Sequence, residues 1–281
     1  MRRVRLHPIV STILLLPALA VVAGAQIAQP SPTYTGSDRV EDWTGRTILV
    51  FSPHPDDDMF TCAGTVARLV DNGNDVHVVV YSSGNAGSRD PEMTLERLAE
   101  IRRGEEERAL AILGVPRENL VWMGYDDGMM EYVDRREMTR AAAAEIRRVR
   151  PDAVFAPDPG APYEQYHKSD HRAAAFNTAD AIRAARWRLY FPELEAQGLE
   201  AWDVKLQFLY YSANPNYEVD VTSVIDRAVA ALASNVSQFG RQVDKYDGEM
   251  TAAELDELKE RLKLRTRTED GRHVERFRRE E

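Results

Sequence analysis

Four short apolar runs, Ile48–Phe51, Val76–Tyr81, Leu120–Trp122 and Ala153–Phe155, alternate with three segments of helical pattern, about Met59–Asp71, Leu95–Leu113 and Glu137–Val149. A strand that is apolar on both faces must be covered on both faces, and parallel strands joined by helices meet that demand. Gly73 and Gly114 stand just past two of the helical patterns, where a left-handed stop belongs. The expected fold is therefore α/β: a mostly parallel sheet with helices on both faces. In such a sheet, ligands bind beyond the carboxyl ends of the strands.

The rest of the chain is arranged around that alternation. "MRRVRLHPIVSTILLLPALAVVAGAQ" has a basic start, an apolar stretch from Ile9 to Val22 and the small-residue pattern Ala23-Gly24-Ala25. It reads as a secretory signal over residues 1–25, with an uncleaved anchor as the alternative. Residues 26–44 are polar with two prolines and read as a linker, and 45–245 as the domain. Within it "KLQFLYYSA" and "YEVDVT" look like later strands and Ser223–Phe239 like a helix. Residues 246–281, rich in Glu, Lys and Arg, are expected to be an exposed helical tail that frays. No further stretch has the apolar length to span a bilayer. The expected location is secreted or periplasmic.

Charge narrows the partners. The net formal charge is −10, and loss of the signal, with three arginines and no acid, would make it −13. An acidic chain disfavours nucleic acid and anionic lipid, so a small molecule is the expected partner. The sequence carries no signal for an oligomeric state. Cys62 is the single cysteine, which excludes an intrachain disulfide. Asn235-Val236-Ser237 matches a glycan acceptor but falls inside an expected helix.

The chemistry-bearing residues gather at the carboxyl ends of two strands. "SPHPDDDMF" follows the first strand with His54 and the adjacent Asp56, Asp57 and Asp58. "PDPGAPYEQYHKSDHRAAA" follows the fourth with Tyr166, His167, Lys168, Asp170 and His171. Adjacent carboxylates repel, so stability alone does not favour three of them at the end of a buried strand. Part of the run can serve the positive end of the helix that follows, Asp58 in particular. That leaves the histidines of both loops unexplained. Two imidazoles and a carboxylate, with a position left for water, form the ligand set of catalytic zinc, and a neighbouring carboxylate can take the water's proton. Spacing alone does not say which aspartate does which. His77, inside a strand, and His273, in the tail, read as structural or solvated. Cys62 reads as a small apolar contact.

These residues resemble a known family. "SPHPDDDMFTCAGTVARLVDNGNDVHVVVYSSG" is similar to the opening of the LmbE-like, or PIG-L, de-N-acetylases, with their (A/P)HPDDE motif followed by G(G/A)T. The resemblance continues through "IRRGEEERALAILGV", "MGYDDGM", "RPDAVFAPDP", "KSDHRAAA" and "VDVTSVIDRAVAALASNVSQF", from about 46 to 240. It implies a Rossmann-like sheet and a zinc-dependent hydrolase that removes acetyl groups from N-acetylated sugars or their conjugates. It implies His54, Asp57 and His171 as Zn²⁺ ligands and Asp56 as general base. Asp58 stands where the family usually has Glu and, with Asp170, is expected in a supporting role. The second motif, commonly H-P-D-H, here reads Lys168-Ser169-Asp170-His171, with lysine for its first histidine. Two accounts of that departure are open: Lys168 supplies positive charge to the oxyanion, or His167 reaches in from one position earlier. Tyr166 matches a tyrosine found near the oxyanion in some relatives. Asp127 matches a substrate-hydroxyl contact, and Asp126 is close enough to exchange with it. Arg102 and Arg103 can both face the site, although a helix this charged more often leaves such residues solvated; of the two, Arg103 is expected to contact substrate.

Two other readings compete. Two histidines and a carboxylate also form the facial triad of Fe(II) enzymes, although a paired aspartate is not needed for oxygen chemistry. A protein that binds an N-acetylated sugar without cleaving it is suggested by Asp58 and Lys168, the two departures from the motifs.

Overall fold

In the computed structural model, which describes residues 33–160 and 168–281, β1 (Thr47–Ser52) lies inside a seven-stranded sheet. It pairs in parallel with β2 (Asp75–Ser82) on one side and β4 (Ala153–Pro157) on the other. β3 (Leu120–Tyr125) and β5 (Leu206–Tyr210) extend the parallel array outward. Successive strand residues face opposite ways. In β1, Ile48 and Val50 enter one core while Leu49 and Phe51 enter the other, so the run reads as continuously apolar. The first core takes α1 (Asp57–Asp71), α2 (Leu95–Leu113) and residues of a helix near the end of the domain. The second takes α3 (Arg135–Val149), α4 (Ser169–Ala185) and the short α5 (Pro192–Ala196). Gly114, at φ 88°, closes α2, and Gly73, at φ 77°, turns the chain out of α1.

From β1 the chain builds outward to β2 and β3, then returns to build β4 and β5 on the opposite side. The strand order therefore reverses between β1 and β4, and the carboxyl ends of strands at such a switch point are where an open α/β sheet binds its ligand.

The C-terminal segment departs from the expected fraying tail. After β6 (Tyr217–Asp220) and α6 (Ile225–Ala233), the helix α7 (Ala252–Leu264) begins with a Thr251/Glu254 capping box and buries Leu258 and Leu262. Residues Val274–Glu280 then form β7, inserted antiparallel between β5 and β6. The charge-rich "VERFRRE" stays in the sheet because its charges are satisfied there. The Glu275 carboxylate accepts from the backbone N–H groups of Gly64 and Thr65, both at 2.8 Å, and from the Thr65 hydroxyl at 2.6 Å. Arg278 grips Asp158 with two nitrogens at 2.7 and 2.9 Å, and the Arg279 guanidinium lies 3.9 Å from the Tyr34 ring centroid. Phe277 is buried between the rings of Phe155 and Phe208.

The expected linker is also partly structured. Tyr34 N–H donates to Asn216 O at 2.7 Å, and Val40 and Trp43 are buried in the core beside β6. Residues 1–32, with the expected signal, lie outside the described residues. None of the described helices is long and apolar enough to cross a membrane. The expected Ser223–Phe239 helix is shorter, ending at Ala233, and Asn235 of the glycan-like triplet is fully buried.

Candidate metal centre and active site

The β1–α1 loop aims its polar groups by bonding them to its own backbone. Ser52 Oγ donates to the His54 carbonyl at 2.7 Å and accepts from the Asp58 N–H at 3.1 Å. Asp56 sits at φ 120°, a conformation rare outside glycine, and its carbonyl accepts the Phe60 N–H at 2.8 Å to start the helix. The turn leaves Asp56, Asp57 and Asp58 in three different surroundings.

Asp57 stands at the centre. Its Oδ2 lies 3.1 Å from His54 Nδ1 and 3.1 Å from His171 Nε2, and it accepts the His54 N–H at 3.1 Å. One ligand atom from each of His54, Asp57 and His171 falls within 4.8 Å of the others, and all three side chains are buried. Donors bonded at 2.0–2.1 Å to one tetrahedral ion stand about 3.3 Å apart, close to the two 3.1 Å separations here. The far side of the His54 ring agrees with this. Its Nε2 faces Asp127 Oδ1 at 3.0 Å and Asp170 Oδ2 at 3.3 Å, so a metal taken up at Nδ1 would leave the ring proton on Nε2, held by these carboxylates. A ligating histidine usually gives its second nitrogen to a carboxylate in this way. The donor set and its orientation fit a zinc ion.

Asp170 joins the two halves of the site. It follows Lys168 at the start of α4 and also accepts from Gly128 N–H at 2.7 Å and Met130 N–H at 3.2 Å, which pins the β3–α3 loop to the second motif. His54, Asp127 and Asp170 form a second cluster of potential donors. The oxygens of Asp170 are already engaged by backbone amides, and this arrangement suits a support for His54.

The charges explain the titration behaviour. Burial opposes a charged His54 imidazole, but its hydrogen bonds to Asp127, Asp170 and Asp57 outweigh burial and lift it well above its usual value. Burial likewise opposes ionised Asp57, yet His171 and His54 hold its carboxyl well below the usual range. Burial opposes ionised Asp127, yet His54, Arg102 and the Ala86 N–H together hold it at about 2. Asp56 is raised, chiefly by burial, with the guanidinium of Arg102 acting in the opposite direction. That direction suits a proton acceptor in the cleft. Burial also lifts Asp58 to about 6, and beside it the buried Glu106 carboxyl is pushed well above its usual value. Two carboxyls facing each other in the interior keep a proton between them, so Asp58 supports the loop from below.

Arg102, and not Arg103, enters the cluster. Its guanidinium donates to Asp56 Oδ2 at 2.8 Å, to Gly84 O at 3.0 Å and to Pro55 O. One residue along a helix turns the side chain by about 100°, and Arg103 is exposed with its guanidinium 4.7 Å from the Trp122 ring centroid. Both oxygens of Asp127 are engaged, Oδ1 by His54 and Oδ2 by Ala86 N–H at 3.3 Å, while Asp126 is exposed and accepts from Asn85 at 2.9 Å. Lys168 is exposed at the start of α4 and close enough to act on the Asp56 charge. Tyr166 and His167 lie outside the described residues. Cys62 is buried, with Sγ 3.3 Å from Asp58 O, and belongs to the core. His77 pairs with Asp75 and His273 with Thr266, both away from this centre. Two further residues join the site without a sequence signal: Tyr211, outside the family motifs, whose hydroxyl donates to Asp57 Oδ1 at 2.8 Å, and Glu106, which stands within "IRRGEEERALAILGV" as one of three consecutive glutamates.

Comparison with known proteins points the same way. The family model described as PIG-L, GlcNAc-PI de-N-acetylase, matches residues 49–182, a segment that holds both loops. The chain is 33% identical over 198 residues to a diacetylchitobiose deacetylase of Thermococcus kodakarensis, covering 70% of this chain and 72% of that one. It is 28% identical over 241 residues to a 1D-myo-inositol 2-acetamido-2-deoxy-alpha-D-glucopyranoside deacetylase of Rhodococcus jostii, covering 69% and 82%. Among solved structures, an N,N′-diacetylchitobiose deacetylase from Pyrococcus horikoshii superposes with a TM-score of 0.71 at 29% identity, covering 84% of each chain.

The two arginines give a direct check of the site. Removing one partner of a buried ion pair typically costs about 3–5 kcal/mol, so Arg102→Met should destabilise the protein by that amount in urea unfolding. Arg103→Met should cost about 1 kcal/mol or less, the size of an exposed cation–π contact. Equal effects would contradict the placement.

Proposed function

The chain belongs to the PIG-L family, and from that membership and the geometry above we propose that it is a zinc-dependent N-deacetylase acting on an N-acetylglucosamine-like sugar or conjugate. The observation that carries the proposal is the meeting of His54, Asp57 and His171, from the β1–α1 junction and the first turn of α4, with their ligand atoms within 4.8 Å of one another. A zinc ion held by these three residues would polarise the acetyl carbonyl and bring the pKa of bound water toward ~7.

The remaining steps are set by the protein. Asp56, raised by burial and tethered by Arg102, takes the proton of the attacking water and returns it to the leaving amine. Asp127 and Asp170 hold the His54 ring in one tautomer and orientation. Lys168 brings positive charge to the mouth of the site, where a developing oxyanion needs it. The names of the relatives support an N-acetylated amino sugar as substrate, with N,N′-diacetylchitobiose as the first compound to test.

We also place the mature protein outside the cytoplasm, on the strength of the signal-like residues 1–25. Sequencing the exported protein should find Gln26 at its start; an intact start at Met1 in a soluble cytosolic fraction contradicts this.

The central test is Asp56→Asn. A general base contributes about 10²–10⁴-fold, so acetate release should fall by roughly that factor while zinc content stays at the wild-type value. Full turnover in the variant removes Asp56 from the chemistry. Sugar binding by the wild type with no acetate release would make the protein a binder.

A further inference from the structure

We propose that Tyr211 is a positioning residue that holds Asp57 to coordination through one oxygen and fixes the plane of His171, so that the metal keeps a position open for water. The proposal rests on the metal reading above and extends it to a residue outside the segment matched by the family model, which ends at 182.

The two oxygens of Asp57 have different neighbours. Oδ2 faces the ring nitrogens of His54 and His171, each at 3.1 Å. Oδ1 accepts the Tyr211 hydroxyl at 2.8 Å. A phenol is protonated at neutral pH, so the tyrosine acts as a donor there and occupies the oxygen that would otherwise swing onto the metal. Catalytic zinc needs such restraint, because its reactivity depends on three protein ligands and a vacancy for water. The same side chain acts on a second ligand. The Tyr211 and His171 rings are stacked, with centroids 5.5 Å apart and planes 12° from parallel.

The backbone is bent to permit this. Tyr211 follows the last residue of β5 and takes φ 56°, a left-handed conformation that costs a bulky residue about 1–2 kcal/mol. Its predecessor Tyr210 has regular strand geometry and donates its hydroxyl to Phe51 O at 2.5 Å. The two rings stand at 79° to each other. One tyrosine therefore serves the sheet, and the next, through a strained turn, serves the ligands. Strain of this kind persists where surrounding contacts over-determine it, and it is concentrated at functional sites.

The test uses the zinc-loaded full-length protein challenged with a competing chelator, and the visible spectrum of the cobalt-substituted protein. Tyr211→Phe keeps the ring and removes only the donor. It should weaken zinc binding about 10–100-fold, the usual effect of losing a group that orients a ligand. Its cobalt bands should lose intensity as Asp57 becomes a two-oxygen ligand and the coordination number rises. Tyr210→Phe, which removes the neighbouring buried hydroxyl, should lower stability and leave zinc affinity and the cobalt spectrum unchanged. Wild-type affinity and spectrum in Tyr211→Phe overturn the proposal. Equal weakening in both variants also overturns it, because the effect is then general loosening. A wild-type protein that takes up no zinc overturns the metal reading itself, a result distinct from the other two.

Discussion

Crowded carboxylates at the end of a buried strand are the constraint on which the rest of the structure depends. Asp57, Asp58, Asp170 and Glu106 are buried, and Asp56 and Asp127 are partly so, within one corner of the sheet. Charges taken out of water must be paired, hydrogen-bonded or neutralised. Each of those solutions appears here. Arg102 pairs with Asp56, the imidazoles with Asp57, backbone amides with Asp170, and Asp58 and Glu106 keep a proton between them. The two imidazoles and Asp57 also offer a donor set that would suit a divalent cation.

The fold makes the meeting of those groups possible. Strands β1 and β4 are adjacent, yet the chain leaves them toward opposite edges, which makes the space beyond their carboxyl ends the switch point of the sheet. The helices that begin there, α1 and α4, bring acidic first turns to the same rim. The β3–α3 loop closes the third side by donating two amides to Asp170 and bringing Asp127 to His54. At the far edge, β7 reaches back to helix α1 through Glu275. That carboxylate caps amides at a point where Cys62, with φ −142°, interrupts the helical geometry. The C-terminal strand thus fixes the helix that carries Asp57 and Asp58.

What the sequence made legible follows from how local the signal was. The apolar runs of β1 to β4 and the glycine stops are written in contiguous residues, and the structure places them as expected; His54, Asp57 and His171 are likewise written in two short motifs, and the structure brings them together. Arg102 and Arg103 could not be separated, because helical pattern in "LERLAEIRRGEEERALAIL" is obscured by charges that turn out to be buried: Arg102, Glu105 and Glu106. Strand β7 was hidden for a related reason. Its charged residues find partners in Gly64, Thr65, Asp158 and Asp38, all distant in sequence, so its composition resembled a solvated tail. Tyr211 gave no signal, since a left-handed turn at a tyrosine has no sequence signature, unlike one at glycine.

The most direct measurement is a metal titration of the chelator-stripped protein, followed by acetate release from N,N′-diacetylchitobiose. The account predicts no release without metal, a linear rise with added zinc, and a plateau at one equivalent per chain. Undiminished release from the stripped protein, or none at any zinc loading, would contradict it.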